Sequence, residues 1–202
     1  MLLNKQTIEQ LGISNSLSTG EKSAKETVIQ FGTGVLLRGL PDYFIDKANK
    51  QNIFNGKIVL IKSTDNGSAD EFALQNNLFT HCIKGVLNGK IMEECIINTS
   101  ISRVLSVKKD WDTIIQCASN PDMQIVISNT TEVGIILIED NLFTNQPPIS
   151  FPGKLLAFLL ARYNAFKGSD DAGMVIIPTE LITDNGSKLK HIVLELAKQN
   201  KL

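Results

Sequence analysis

Residues 27–40 restrict what this chain can fold into more than any other stretch. They read Thr-Val-Ile-Gln-Phe-Gly-Thr-Gly-Val-Leu-Leu-Arg-Gly-Leu. The apolar run Val28–Phe31 has the character of a strand, ends in Gly32-Thr33-Gly34, and gives way to a helical pattern. Small residues at such a turn let the backbone approach a ligand, and the free N–H groups of the first helical turn face it. That is how a strand hands a dinucleotide pyrophosphate to a helix N-terminus. The third glycine of the usual fingerprint would fall at Leu37, and the next glycine comes only at Gly39. A bare Gly-x-Gly is a weak sign, so its meaning rests on the rest of the chain.

The pattern downstream alternates helices with apolar strands. A helix is expected from about Leu37 to Gln51, with Leu40, Phe44 and Ala48 recurring at four-residue spacing. Lys57–Ile61 is apolar throughout its later residues, like a strand buried on both faces. Leu78–Lys84 and Lys90–Ile97 flank Asn88-Gly89, a strong hairpin turn, and read as an antiparallel insertion after the second core strand. Asp110–Ser119 reads as a helix with Trp111, Ile114, Ile115 and Ala118 inward. Met123–Ser128 and Gly173–Pro178 read as further core strands. Pro152–Asn164 and Lys188–Lys198 read as amphipathic helices, the latter with Leu189, Ile192, Val193 and Leu196 inward. The fold class that follows is α/β with a mainly parallel sheet, helices on both faces and an inserted hairpin. Residues 1–25 are expected to form a polar arm with a short helix at Lys5–Leu11, and 26–202 the domain itself.

Composition narrows the function. A net charge of −1 with charges spread along the 202 residues leaves no basic stripe for nucleic acid. Apolar runs such as Ile135–Ile138 are too short to span a bilayer, and the N-terminal residues lack an apolar signal core. Cys82, Cys95 and Cys117 include no Cys-x-x-Cys pair and read as buried or half-buried thiols in a reducing cytoplasm. His81-Cys82 has no third ligand near it in sequence, so nothing calls for a metal. His191 adjoins the apolar stripe of the last helix and reads as structural.

In an open parallel sheet, ligands gather where strands end at their carboxyl side. Four polar segments lie at such ends: Gly32–Gly39, Lys62–Asp65, Asn129–Glu132 and Thr179–Asn185. Lys62-Ser63-Thr64-Asp65 falls where an adenine ribose is read, and it offers both a cation for a 2′-phosphate and a carboxylate for a 2′-hydroxyl; it is equally readable as a solvated turn. Arg38 can hold a phosphate or carboxylate with two parallel hydrogen bonds, or form a surface ion pair. Asn129, Thr130, Thr131 and Glu132 can present amide and hydroxyl groups to a nicotinamide, or cap a helix. Glu180 is either a general base or a hydrogen-bonded strand-end carboxylate.

Several segments together resemble the long-chain mannitol dehydrogenase family of polyol dehydrogenases and reductases. They are Ile29–Gly34 with Leu36-Leu37-Arg38, Asp42-Tyr43, Ile45-Asp46, Asn77–Thr80, Ser100–Arg103 and Asn120–Met123. The most specific are Ile127–Ile135, Phe151–Leu155, Ile176–Ile182 and Asn185-Gly186. The resemblance covers about residues 26–202 and implies a Rossmann-type domain that binds NAD. Its cofactor loop falls on Ile29, Gln30, Phe31, Gly32, Thr33, Gly34, Val35, Leu36, Leu37, Arg38, Gly39 and Leu40, with Lys62 and Ser63 and with Asn129–Glu132 completing the site. The family lacks a glycine at the Leu37 position. The wording of Asn129–Glu132 and Pro178–Ile182 resembles the branch that interconverts D-altronate and D-tagaturonate in cytoplasmic hexuronate breakdown. Sister activities on fructuronate or mannitol, or a non-catalytic nucleotide-binding module, are the alternatives. The family's catalytic lysine sits in a helical C-terminal domain expected to follow Leu202, so no catalytic residue is assigned within these residues. Val35 and Gly153 depart from the residues usual in relatives.

Overall fold

The computed structural model describes residues 3–12, 24–63, 69–131, 134–144 and 146–202, with the backbone alone for 69–71. A short helix α1 (Lys5–Gln10) is capped by Asn4, whose side chain accepts from Thr7 N at 2.8 Å, and it buries Ile8. The strands of the main sheet are β1 (Lys25–Phe31), β2 (Gly56–Lys62), β5 (Ile101–Ser106), β6 (Ile125–Ser128) and β7 (Val175–Pro178). All pair in parallel, in the order β5-β2-β1-β6-β7. The order reverses between β1 and β6, the switch point of a doubly wound sheet. A separate hairpin is made by β3 (Phe79–Leu87) and β4 (Lys90–Asn98). Its turn residues Asn88 and Gly89 both have positive φ, 50° and 75°, as the right-handed twist of a two-residue hairpin requires.

Side chains alternate across the sheet and supply two cores. Ile29, Phe31, Val59, Ile61, Leu105 and Val126 face the helices α5 (Trp111–Gln116), α6 (Phe151–Phe166) and α7 (Asn185–Gln199). Val28, Ile58, Leu60, Ile101 and Ile127 face the other side, where Leu37, Phe72 from α4 (Ala69–Leu74) and Phe79 cover them. Both faces of β1 and β2 are therefore dry, which is why these strands read as unbroken apolar runs. The helix α6 starts at Ser150, whose Oγ accepts from Gly153 N at 2.9 Å, with Pro152 in the first turn. Gly153 packs so closely on the Asp140 carboxylate that a methyl group there would overlap it, which accounts for glycine at this position.

Five sequence expectations are corrected. The helix after the glycines is two helices, α2 (Val35–Gly39) and α3 (Pro41–Lys50), broken at Leu40 with φ −116° and ψ −83°. Pro41 pushes its predecessor out of the helical region, and that is enough to end the first helix. Leu40 and Phe44 point outward, 48% and 54% exposed, while Asp42 and Asp46 are buried. The reason is a polar corner: Asp46 accepts from Thr99 N at 2.8 Å and Thr99 Oγ1 at 3.0 Å, and Asn98 Nδ2 donates to Asp42 O at 2.8 Å. The strand β5 is a third parallel strand that the apolar pattern hides, because along it only Ile101 and Leu105 are buried. β7 is the sheet's edge, with Val175 60% and Ile177 40% exposed, not a core strand. Cys82 and Cys95 are exposed; Cys117 is the buried cysteine.

Candidate functional site

Parallel register sets the site's floor. Phe31 pairs with Ile61 and with Ser128, and Ser128 pairs with Pro178, so these strands end at one level. The ladder continues into the loops: Gly32 N donates to Ile61 O at 3.0 Å, Asn129 N to Phe31 O at 3.1 Å and Thr179 N to Ser128 O at 2.8 Å. Above this level opens a cleft of about 550 Å³. Gly32 and Thr33 come from the end of β1, Ser63 from β2, and Asn129, Thr130 and Thr131 from β6. The far wall is Gly134, Ile136, Ile138 and Ile149, with Ser150, Phe151 and Lys154 from the start of α6.

Gly32 has φ +125°, and a Cβ on it would come within 2.9 Å of Asn129 O and 3.1 Å of Leu37 Cδ1. The two walls thus meet backbone to backbone, and only glycine permits it. Gly34 is the residue before α2, whose five residues make little more than one turn. What this segment offers a ligand is close backbone approach more than a long helix dipole.

The β6 and β7 exits are stitched together beneath the cleft. Asn129 Nδ2 donates to Thr179 O at 2.8 Å. Glu180, 3% exposed, accepts from Thr130 N at 3.0 Å and Thr130 Oγ1 at 3.2 Å through Oε1. Asn185 Nδ2 donates to Pro178 O and Glu180 O at 2.9 and 3.0 Å. Of the two readings of Glu180, this geometry matches the strand-end carboxylate that orders a loop.

The remaining residues named from sequence distribute as follows. Ile29 and Phe31 are core, and Gln30 is buried on the opposite face of β1. Leu37 is buried; Val35, Leu36, Gly39 and Leu40 are exposed outside the cleft wall. Lys62 is buried at the end of β2 and does not line the cleft. Glu132, Thr64 and Asp65 lie outside the described residues. His191 is exposed. The wall from Gly134 to Lys154 is what sequence reasoning missed as site. Its one sequence signal is the proline-rich stretch running into Phe151-Pro152. Lys154 Nζ donates to Ile149 O at 2.6 Å, and burial lowers its pKa against the opposing pull of Asp140. Ahead of α6, Asp140 accepts from Ile149 N and Ser150 N at 2.7 and 2.9 Å, and within its first turn Gly153 N already donates to Ser150 Oγ at 2.9 Å.

Arg38 turns away from the cleft into a buried polar cluster behind the glycines. Asp42 is fully buried there, and among the described residues no hydrogen bond of normal geometry reaches either carboxyl oxygen. Burial pushes its pKa up to about 7, against the lowering effects of Gln30 and Arg38. The folded pKa lies above the unfolded one, so this group favours folding most in acid and loses that contribution as pH rises toward 7. An Asp42→Asn chain is therefore expected to melt progressively higher than the parent as pH rises from about 5 to about 8. Equal shifts at all pH values in a thermal-melt series would contradict this. His81 closes the cluster by donating from Nε2 to the Arg38 carbonyl, with its ring edge-on to Tyr43 and Phe79. Its neighbour Cys82 projects to the other side of β3, so the two form no ligand pair. Among the described residues no three His, Cys, Asp or Glu side chains cluster to hold a metal, and no helix is long and apolar enough to cross a membrane.

Residues 26–202 match the family model described as the mannitol dehydrogenase Rossmann domain. An altronate oxidoreductase of Halalkalibacterium halodurans is 40% identical over 174 residues, 86% of this chain and 34% of that protein. One from Bacillus subtilis is 39% identical over 177 residues, 88% of this chain and 37% of its own length. The chain thus spans about a third of the length of these curated relatives. Among solved structures, a Pseudomonas fluorescens mannitol 2-dehydrogenase in ternary complex with NAD and D-mannitol superposes with a TM-score of 0.79 at 21% identity. It covers 99% of this chain and 43% of that one. A D-sorbitol dehydrogenase in substrate-free form gives 0.76 at 17% identity, with the same coverages. At such identities the likeness speaks for the fold, a Rossmann domain, while the match over 26–202 carries the family. A doubly wound sheet, a glycine turn at its switch point and a family match spanning nearly the whole chain lead to one assignment: the chain belongs to the mannitol dehydrogenase family, of which it carries the Rossmann domain.

Proposed function

We propose that the cleft binds NAD and that the chain is the cofactor-binding part of an oxidoreductase interconverting D-altronate and D-tagaturonate. The observation that carries this is the convergence of Gly32-Thr33 and Asn129–Thr131 on one cleft at the point where strand order reverses. The relatives named altronate oxidoreductases support the substrate, and the NAD complex of the mannitol 2-dehydrogenase supports the cofactor. When bound, NAD accepts or supplies the hydride exchanged with the substrate carbon.

The chain's own residues bind and orient. The backbone of Gly32–Gly34 holds the pyrophosphate, Ser63 meets the adenine ribose, and Asn129–Thr131 faces the nicotinamide. Lys154 places a cation in the cleft wall. Glu180 holds the Asn129–Thr131 loop at a fixed height. The proton is exchanged by a lysine of the family's C-terminal domain, the partner this domain serves, in a cytoplasmic setting.

The 202-residue chain is therefore expected to bind NADH, read by fluorescence titration, and to reduce no tagaturonate. Absence of binding at about 1 mM NADH, weaker than any useful cofactor affinity, would overturn the cofactor assignment. Turnover by the chain alone would overturn the division of labour. Fructuronate and mannitol–fructose kinetics on the protein carrying both domains separate the sister activities.

A further inference from the structure

Cys82 and Cys95 stand directly opposite each other across the hairpin, both exposed, with their sulfurs 3.5 Å apart. Opposed residues of an antiparallel pair project to the same face. A two-residue turn closes on a hydrogen-bonded pair, here Leu87 and Lys90, and such pairs alternate with non-hydrogen-bonded ones. Counting back, Cys82–Cys95 occupies a non-hydrogen-bonded position, where Cα atoms stand about 4.5 Å apart, inside the span a disulfide bridges. The next pair outward on the same face is Lys84–Glu93, an ion pair at 2.7 Å; the Cys95 thiol is held above its ordinary pKa, first by its hydrogen bond with Cys82 and further by Glu93, against the weaker pull of Lys84. Exposure to solvent and a resolving thiol at contact distance, rather than an acidic thiol, are what favour disulfide exchange here.

We propose that Cys82 and Cys95 form a redox modification site, a dithiol that a low-molecular-weight disulfide such as oxidised glutathione converts to a cross-strand bridge. One thiolate attacks a sulfur of the glutathione disulfide, whose S–S bond breaks and releases one glutathione thiolate. The other cysteine then attacks the protein-bound sulfur and expels the second glutathione. The two protein thiols lose two electrons and two protons, and glutathione gains them. The site is exposed, so it is reduced at rest in a reducing compartment and responds when the disulfide pool rises. Cys117 takes no part: it is buried and donates to Thr113 O at 3.2 Å.

The test is native incubation of the purified chain with oxidised glutathione, acid quench, intact mass and tryptic mapping. Cleavage at Lys84 and Lys90 puts the two cysteines in different peptides. The expected product has lost two hydrogens, carries a link between the Cys82 and Cys95 peptides, keeps Cys117 as a thiol, and reverts with dithiothreitol. Cys82→Ser and Cys95→Ser chains should each stop at a single glutathione adduct, because no second thiol resolves it. Two separate adducts on the parent chain, a disulfide-linked dimer, or no reaction would each overturn the proposal.

Discussion

Alanine at Gly32 is expected to abolish measurable NADH binding and to lower the melting temperature of the chain. The added methyl meets Asn129 O at 2.9 Å, a distance that side-chain rearrangement cannot relieve because the opposing atom is backbone. It also asks an L-residue to adopt φ +125°. Strain of this kind costs about 1–3 kcal/mol when the surroundings hold it in place, and relief comes only by parting the β1 and β6 exits. Parting them by a few tenths of an ångström widens the proposed seat of the pyrophosphate. Gly39→Ala is the control, since a Cβ there meets nothing within 4 Å and the residue sits in a helix. It should bind NADH as the parent does and melt no lower. Equal affinities for the Gly32→Ala chain and the parent would remove the glycine turn from the cofactor site.

Removing the Glu180 side chain is the second large effect expected. Thr130 N and Oγ1 both depend on Glu180 Oε1, and the carboxylate is almost wholly buried. Glu180→Ala leaves those donors unmatched, which costs about 1.5–3 kcal/mol for hydrogen bonds to a charged group. The loss falls on the Asn129–Thr131 loop, so NADH affinity should drop about tenfold, the equivalent of 1.4 kcal/mol. Glu180→Gln keeps a carbonyl oxygen for Thr130 N and should recover most of the affinity. A general base would behave otherwise: the glutamine chain would bind normally, yet the proposed two-domain enzyme carrying it would lose kcat and the acidic limb of its pH–rate profile. Titration on the chain and pH–rate profiles on the whole enzyme therefore distinguish the two roles.

The parts legible in the sequence were those decided by neighbours along the chain. Val28–Phe31 and Lys57–Ile61 announced strands buried on both faces, and Asn88-Gly89 announced its hairpin, because side-chain period and turn conformation are local properties. Leu37 could be placed at the glycine turn only through the family resemblance; in the structure it is the buried residue that Gly32 packs against. The helix break at Leu40 was also local in cause. Pro41 restricts the residue before it, a signal that the four-residue spacing of Leu40, Phe44 and Ala48 masks.

Other features have no local signature. Four-residue spacing put Leu40 and Phe44 on one face, but which face is inward depends on the Asn98–Ser100 corner, about fifty residues away, whose polar groups need Asp46. The Gly134–Lys154 wall belongs to the site because the chain returns over β6, not because of its composition. Cys82 and Cys95 read as two unrelated thiols until the hairpin register set them opposite each other.

Taken alone, the sequence determined that this chain builds a parallel sheet around a glycine turn at the end of β1, because strand burial and backbone freedom are written in consecutive residues. The tertiary structure alone decided which polar groups converge there. That Glu180 holds Thr130, that Asn129 closes on Gly32, and that Lys62 and Arg38 turn away all follow from the level at which parallel strands end and the order in which they lie. Both depend on contacts between segments tens of residues apart, which no local pattern records.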